Sequence, residues 1–273
     1  MTEPHPALSR LAEVLAGISP RVIACSGGVD SLLLATVAHR ESPATTTIAH
    51  TVTPAVPAQA TARVVRYAQS QGWQLELIRS SEFDDERYLS NPVDRCYWCK
   101  HHLYDAIAEL VTWAADGGPV VLSGANTDDL GEYRPGLKAA EEFAVRHPYL
   151  EAGLAKDDVR GIARHLGVDA AELPSSPCLA SRLYTGTRVS ADRLRAVELG
   201  EAAVTELTGV AVVRCRIREE RVLVEVQAAD RGLVTAAVLA EVGRVMHVAA
   251  PDLADPVLDP RAYKSGRSFL TVN

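Results

Sequence analysis

Residues 21–39 read RVIACSGGVDSLLLATVAH, and this stretch decides the fold. Arg21–Cys25 is a short apolar run, Ser26-Gly27-Gly28 is a glycine turn, and Asp30–His39 has helical periodicity, so the order is strand, turn, helix. The alternation continues outward through strand-like Thr45–Thr51, helix-like Ala58–Gln71, strand-like Gln74–Arg79, helix-like Lys100–Ala115 and strand-like Val120–Ser123. Such alternation predicts an α/β fold, a Rossmann-like parallel sheet covered by helices on both faces. Ligands of these sheets bind at the carboxyl ends of the strands, where the turns after Cys25, Thr51 and Ser123 are expected to converge.

Beyond Pro174 the grammar changes. A long loop, Pro174–Arg188, leads to helix-like Ala191–Leu207, then to strand-like Ala211–Arg218 and Arg221–Gln227, which read as a hairpin. Helix-like Leu233–Val245 and an irregular tail, Pro251–Asn273, complete the chain. Two domains are expected: an α/β domain over residues 1–185 and a smaller α+β domain over 186–273.

The composition narrows the function. The 273 residues include 47% hydrophobic and 23% charged residues, no apolar run approaches the ~20 residues that span a bilayer, and the first residues lack a secretory pattern. A soluble, cytoplasmic enzyme is expected. Five cysteines without an export signal point to reduced thiols. A net charge of −7 offers a nucleic-acid backbone no general attraction, which favours a small-molecule substrate.

Ser26-Gly27-Gly28-Val29-Asp30-Ser31 is the strongest local signal. Its glycines let the backbone approach an anion, while helix N–H groups and the two serine hydroxyls donate to phosphate oxygens. It lacks the Gly-Lys-Ser/Thr ending of a γ-phosphate loop. In GANTDDLGEYRPG (Gly124–Gly136), Asn126, Asp128, Asp129 and Arg134 crowd the loop beside the expected nucleotide; the acids suit Mg²⁺ and the arginine suits departing pyrophosphate. Cys96, Cys99 and Cys178 are a possible three-thiolate set, fitting a [4Fe–4S] cluster with one open iron, or zinc with His101 or His102 as fourth ligand. Cys25 and Cys215 read as small core residues. Arg214 and Arg216 share a strand face and, with Arg182, can form an anion fork; their alternative is a surface paired with Glu225 or Glu219. Lys100, after the second cysteine, suits a phosphate or the surface equally.

SGGVDS after a first strand resembles the pyrophosphate-binding loop (PP-loop) of the adenine nucleotide α-hydrolase superfamily. DRCYWCKHHLY (Asp94–Tyr104), GANTDDLGEYRPG and SPCLASRLYTG (Ser176–Gly186), with the Arg-x-Arg of VRCRI (Val213–Ile217), resemble the LarE family, sulfur transferases that make the pincer nucleotide of the nickel cofactor of lactate racemase. The resemblance implies ATP and Mg²⁺ at Ser26, Gly27, Gly28, Asp30, Ser31, Asn126, Asp128, Asp129 and Arg134. It implies substrate contacts at Lys100, Ser181, Arg182, Arg214 and Arg216, with Cys178, Asp30 and Arg182 at the chemistry. It further implies the three-cysteine, cluster-containing branch, a homo-oligomer such as a hexamer, and acids such as Glu201 and Asp230 near the substrate. The expected reaction is adenylation of a pyridinium dicarboxylate mononucleotide followed by sulfur transfer. A tRNA-base thiolase of the same superfamily and a non-catalytic nucleotide sensor are the alternatives.

Overall fold

The computed structural model describes residues 5–111, 118–131, 134–174, 177–264 and 266–268. The strands are β1 (Arg21–Ala24), β2 (Thr46–Thr51), β3 (Gln74–Ile78), β4 (Val120–Leu122), β5 (Val213–Arg218), β6 (Arg221–Val226) and β7 (Val257–Leu258). The helices are α1 (Pro6–Ala16), α2 (Val29–Glu41), α3 (Ala58–Gln71), α4 (Glu86–Leu89), α5 (Arg95–Val111), α6 (Pro135–Glu142), α7 (Pro148–Glu151), α8 (Lys156–His165), α9 (Ala191–Thr208) and α10 (Ala236–Ala249).

The first compact unit comprises Met1–Ser81 and Cys96–Ser176. Its sheet runs β3-β2-β1-β4, and every neighbouring pair is parallel. The two-residue period of β1 divides its side chains between two cores. Ile23 packs with Leu11 and Leu15 of α1, Leu33 of α2 and Ile162 of α8; Val22 and Ala24 pack with Tyr104 and Ile107 of α5 and Ala139 and Ala140 of α6. The sheet is therefore covered on both faces, as the alternating sequence predicts. Ala7, Leu11 and Leu15 recur every four residues along α1 and are buried, each leucine contributing roughly 1.5–3 kcal/mol. Between these elements lies the buried guanidinium of Arg21, which donates to Leu15 O at 2.8 Å and Ala38 O at 2.7 Å near the ends of α1 and α2. Burial lowers its pKa, but carbonyls at two helix C-termini are a favourable seat for a cation.

Chain order sets the position of the site. β2 lies on one side of β1 and β4 on the other, so the winding reverses between β1 and β4. A crevice opens at the carboxyl ends of such a pair, and Ser26 and Gly124 stand at those ends.

The second unit comprises Glu82–Arg95 and Pro177–Asn273. Its hairpin pairs β5 with β6 from Val213↔Val226 to Arg218↔Arg221, and β7 adds to β6 in parallel. This division differs from the expected boundary at 185/186. The segment 82–95 joins the second unit because Asn91, in a left-handed conformation (φ 54°), donates its side-chain amide to Tyr184 O and Thr187 O, both at 2.8 Å. Val189 N also donates to Leu89 O at 2.9 Å.

Other boundaries shift for local reasons. The helix expected from Lys100 begins at Arg95, which puts Cys96 and Cys99 inside it; its expected extension to Ala115 lies outside the described residues beyond Val111. The helix expected from Leu233 begins at Ala236, because the Thr235 hydroxyl accepts the Val238 N–H as an N-cap. The tail expected to be irregular contributes β7; residues 265 and 269–273 lie outside the described part.

Candidate functional site

The glycine loop leaves β1 and enters α2. Gly27 has φ 80°, and a Cβ there would stand 2.8 Å from Ala60 O, so both the dihedral and the space require glycine. Arg63 Nη1 donates to Gly27 O at 2.7 Å and holds the turn from α3. The Ser31 hydroxyl donates to Gly28 O at 3.1 Å and accepts the Ser26 N–H at 3.1 Å. Having one proton, it accepts again from Ser26 Oγ at 3.1 Å. Ser31 thus shapes the loop. Gly28 is the N-cap of α2 and no side chain caps that end, which leaves helix N–H groups and the positive end of the dipole to an anion.

Behind the loop, His50 donates from Nδ1 to Cys25 O at 2.7 Å and accepts from Thr61 Oγ1 at 2.9 Å. Burial lowers its pKa, which favours the neutral ring. The Cys25 thiol is pushed up to about 11 by burial, which fits its reading as a core residue; burial likewise holds Cys215 well above the ordinary thiol value.

After β4 the chain returns to the same loop. A Cβ on Gly124 would meet the Asp30 and Ser31 backbone at 3.1–3.2 Å, so glycine lets the two turns touch. Asn126 Nδ2 donates to Asp30 Oδ1 at 3.5 Å, and Asn126 Oδ1 accepts the Asp128 N–H at 3.1 Å. Asp129 accepts the Asn126 N–H at 3.0 Å and pairs with Arg134 at 2.9 Å. The sequence-predicted Asp30, Asn126, Asp128, Asp129 and Arg134 are therefore joined by a network of contacts at the ends of β1 and β4.

Two members of this network, Lys156 and Tyr149, were absent from the sequence reading, and a further hydrogen-bonded pair follows β4. Lys156, the first residue of α8, pairs with Asp30 Oδ2 and donates its N–H to Asp128 Oδ2 at 3.3 Å. The buried Tyr149 donates its hydroxyl to Asp30 O at 2.8 Å. Ser123 Oγ lies 2.7 Å from His147 Nδ1, and burial lowers the His147 pKa. No local sequence pattern marks Lys156 or Tyr149, because they reach the site from α8 and α7, away from the glycine loop.

Cys96 and Cys99 lie one turn apart on α5, a spacing that puts both on one side of the helix. Both are half-buried. The Lys100 ammonium stands 5.7 Å over the Tyr104 ring. These three residues belong to the first unit. Among the described residues, no group of three or more His, Cys, Asp or Glu side chains is set as a metal site within either unit.

The second unit gathers the remaining predicted residues. Cys178 precedes the short turn Leu179–Arg182 and its carbonyl accepts Arg182 Nη1 at 3.3 Å. Arg182 meets Glu201 in a two-point pair. Burial alone would lower its pKa, but the Glu201 contact outweighs it and raises the guanidinium. Ser181 Oγ accepts Arg182 Nη1 at 3.1 Å, and Ser181 O accepts Arg216 Nη1 at 2.9 Å. Arg216 pairs with the wholly buried Glu225 at 3.0 Å, and Arg267 reaches the same carboxylate at 2.9 Å. Arg214 lies 5.3 Å over the Tyr263 ring; burial, then the neighbouring Arg182 charge, lower its pKa. Cys178, Ser181, Arg182, Arg214 and Arg216 thus form one guanidinium-rich cluster with Glu201 at its edge. Asp230 stands on the turn Ala228–Leu233.

Comparison with known proteins places this architecture. Over 220 residues, 81% of this chain and 80% of the relative, the sequence is 33% identical to the uncharacterized protein slr1717 of Synechocystis sp.. The chain belongs to that family. It is also 30% identical to the uncharacterized protein MJ0830 of Methanocaldococcus jannaschii over 178 residues, 65% of this chain and 66% of that protein. Pyridinium-3,5-bisthiocarboxylic acid mononucleotide synthase of Lactiplantibacillus plantarum is 30% identical over 165 residues, 60% of this chain and 57% of the synthase. This last likeness supports the LarE-like family expected from the motifs. No protein-family model matches the chain. No helix among the described residues is long and apolar enough to cross a membrane.

Proposed function

We propose that this chain is an ATP-dependent sulfur transferase of nickel-pincer cofactor biosynthesis, adenylating a pyridinium dicarboxylate mononucleotide and then thiolating it. The observation that carries the reading is the uncapped glycine loop at the β1/β4 switch with the Asp30 network beside it. The likeness to the Lactiplantibacillus synthase supports the substrate class.

The loop fits a polyphosphate, since Gly27 and Gly28 place no side chain over the α2 N-terminus. Asp30 and Asp128 are hard oxygen donors suited to Mg²⁺, which would neutralise phosphate charge and favour departure of pyrophosphate. A carboxylate is a poor electrophile. When one of its oxygens attacks the α-phosphorus, pyrophosphate leaves and a mixed anhydride forms; sulfide then attacks the carbonyl carbon and AMP leaves with the carboxylate oxygen. The guanidinium cluster of Arg182, Arg214 and Arg216 would seat the anionic substrate. A [4Fe–4S] cluster held by Cys96, Cys99 and Cys178 would supply exchangeable sulfide.

ATP–pyrophosphate exchange tests the reading. Exchange should require the dicarboxylate mononucleotide and disappear in Asp30→Ala with little change in melting temperature. Exchange that persists in Asp30→Ala would remove the loop from the reaction.

A further inference from the structure

Helix α3 sets the orientation of the peptide between Gly27 and Gly28. Ala60, Arg63 and Val64 stand three and four residues apart, on one side of that helix, and all three meet Gly27. A Cβ there would stand 2.8 Å from Ala60 O and 3.2 Å from a Val64 methyl group, while Arg63 Nη1 donates to Gly27 O at 2.7 Å. Arg63 is half-buried. Burial and the Arg66 charge lower its pKa, and the Asp169 charge opposes them. Tyr67 in turn donates its hydroxyl to Asp169, so the groups around the guanidinium are themselves tied.

A trans peptide carries its C=O and N–H on opposite sides. With Gly27 O held toward α3, the Gly28 N–H points away from that helix and meets the Ser26 hydroxyl at 3.5 Å. That distance is near the outer limit of a hydrogen bond, so the contact is easily given up to an anion. The Gly28 N–H thereby joins the uncapped N–H groups of α2, which begins at the next residue. Nothing in the local sequence fixes this orientation. With glycine on both sides, no Cβ resists rotation of the peptide plane, and a flip would turn the Gly27 carbonyl oxygen toward an incoming phosphate. The two glycines that open the loop also leave it free to turn the wrong way, and the contact from α3 chooses between the two states.

We infer that Arg63 is a positioning residue for the phosphate site: it holds the Gly27–Gly28 peptide with its N–H toward the anion and does not itself touch the nucleotide. The inference rests on the reading of the glycine loop as a phosphate cradle.

Calorimetric titration of inorganic pyrophosphate with Mg²⁺ into wild type, Arg63→Met and Arg63→Lys provides the test, with the Gly28 amide followed by NMR. In Arg63→Met the competent orientation should fall to about a third to a tenth of the population, weakening pyrophosphate binding by the same factor, about threefold to tenfold. Without ligand, the Gly28 amide should show microsecond-to-millisecond exchange in Arg63→Met and not in wild type. Arg63→Lys keeps a charged donor on a long stem and should bind within about twofold of wild type. In wild type the Gly28 amide should move downfield as pyrophosphate binds, a measurement that needs no variant to fold. A melting temperature lowered in both variants with pyrophosphate affinity unaltered would make Arg63 a stabilising residue only. An unmoved Gly28 amide in wild type would overturn the inference as well. If wild type binds pyrophosphate and Arg63→Met binds it equally well, the inference alone fails; if wild type binds none, the cradle reading fails and the inference with it.

Discussion

Arg182 and Glu201 face each other through two parallel hydrogen bonds, Nε to Oε1 at 2.9 Å and Nη2 to Oε2 at 2.8 Å, with side chains 3% and 14% exposed. Glu201 Oε1 also accepts the Cys215 N–H at 3.0 Å, so one carboxylate fixes both the arginine beside Cys178 and the strand β5. Glu201→Gln would leave a guanidinium buried without its counter-charge, at a cost of about 3–5 kcal/mol. Urea unfolding should show this loss, and sulfur transfer should fall with it. A variant as stable as wild type would mean that the pair is not formed in solution.

Gly27 and Gly28 should separate folding from binding. Gly27→Ala meets Ala60 O and adopts a left-handed backbone, costing roughly 1–2 kcal/mol from the dihedral alone. At Gly28 the nearest atom to a new Cβ is Ser26 Oγ at 3.7 Å, so Gly28→Ala should cost under about 1 kcal/mol as a poorer N-cap. The new methyl group would instead occupy the proposed phosphate approach. ATP affinity should drop about tenfold, as for one lost hydrogen bond to a charged group. Measured melting temperatures and ATP titrations that rank the two variants the other way would contradict the cradle.

The loop was legible in the sequence because strand, glycine turn and helix are contiguous. The parallel order followed from alternation, and β5 and β6 from their period of two. Lys156 was not legible, because nothing within its own helix records that Asp30 lies across the site. The placement of 82–95 was hidden for the same reason. Asn91 reads locally as a turn residue, yet its amide joins Tyr184 and Thr187. Periodicity reports which side of an element is buried; it does not name the distant polar partner. Arg216 makes the point from the other side. Its period placed it correctly beside Arg214, but its pairing with Glu225 is buried, where a solvated face was the alternative expected.

Acid should weaken the first unit through two histidines. Burial lowers the pKa of both His50 and His147 from the ordinary 6.5. The unfolded chain therefore takes up protons that the folded one refuses, so stability is full above the ordinary value and is lost as pH falls toward the folded values. Melting temperature should drop between about pH 7.5 and 5.5, and His50→Gln, which retains hydrogen-bonding capacity without the charge, should flatten part of that drop. An unchanged slope in His50→Gln would show that its burial is not what acid disrupts.

Cys178 is the residue at which the two routes for the proposed sulfur transfer differ. It is half-buried, and its backbone carbonyl accepts from Arg182, which ties this stretch of backbone to the guanidinium cluster proposed to seat the substrate. If sulfide is carried by a cluster on Cys96, Cys99 and Cys178, no Cβ–S bond breaks. Anaerobically purified protein should then contain iron and acid-labile sulfide, and each chain should make several products when sulfide and a reductant are supplied. Air should inactivate it, because exposed iron and thiolates oxidise. Cys96→Ser and Cys99→Ser should each lose iron while ATP–pyrophosphate exchange persists, since the proposed adenylation site is the loop at the β1/β4 ends. If instead the thiol of Cys178 is itself transferred, its Cβ–S bond breaks, residue 178 becomes dehydroalanine, lighter by one H₂S, and turnover stops at one sulfur per chain. Mass spectrometry of the peptide spanning Cys178 after turnover distinguishes the two routes, and dehydroalanine there would sink the cluster proposal without touching the adenylation step.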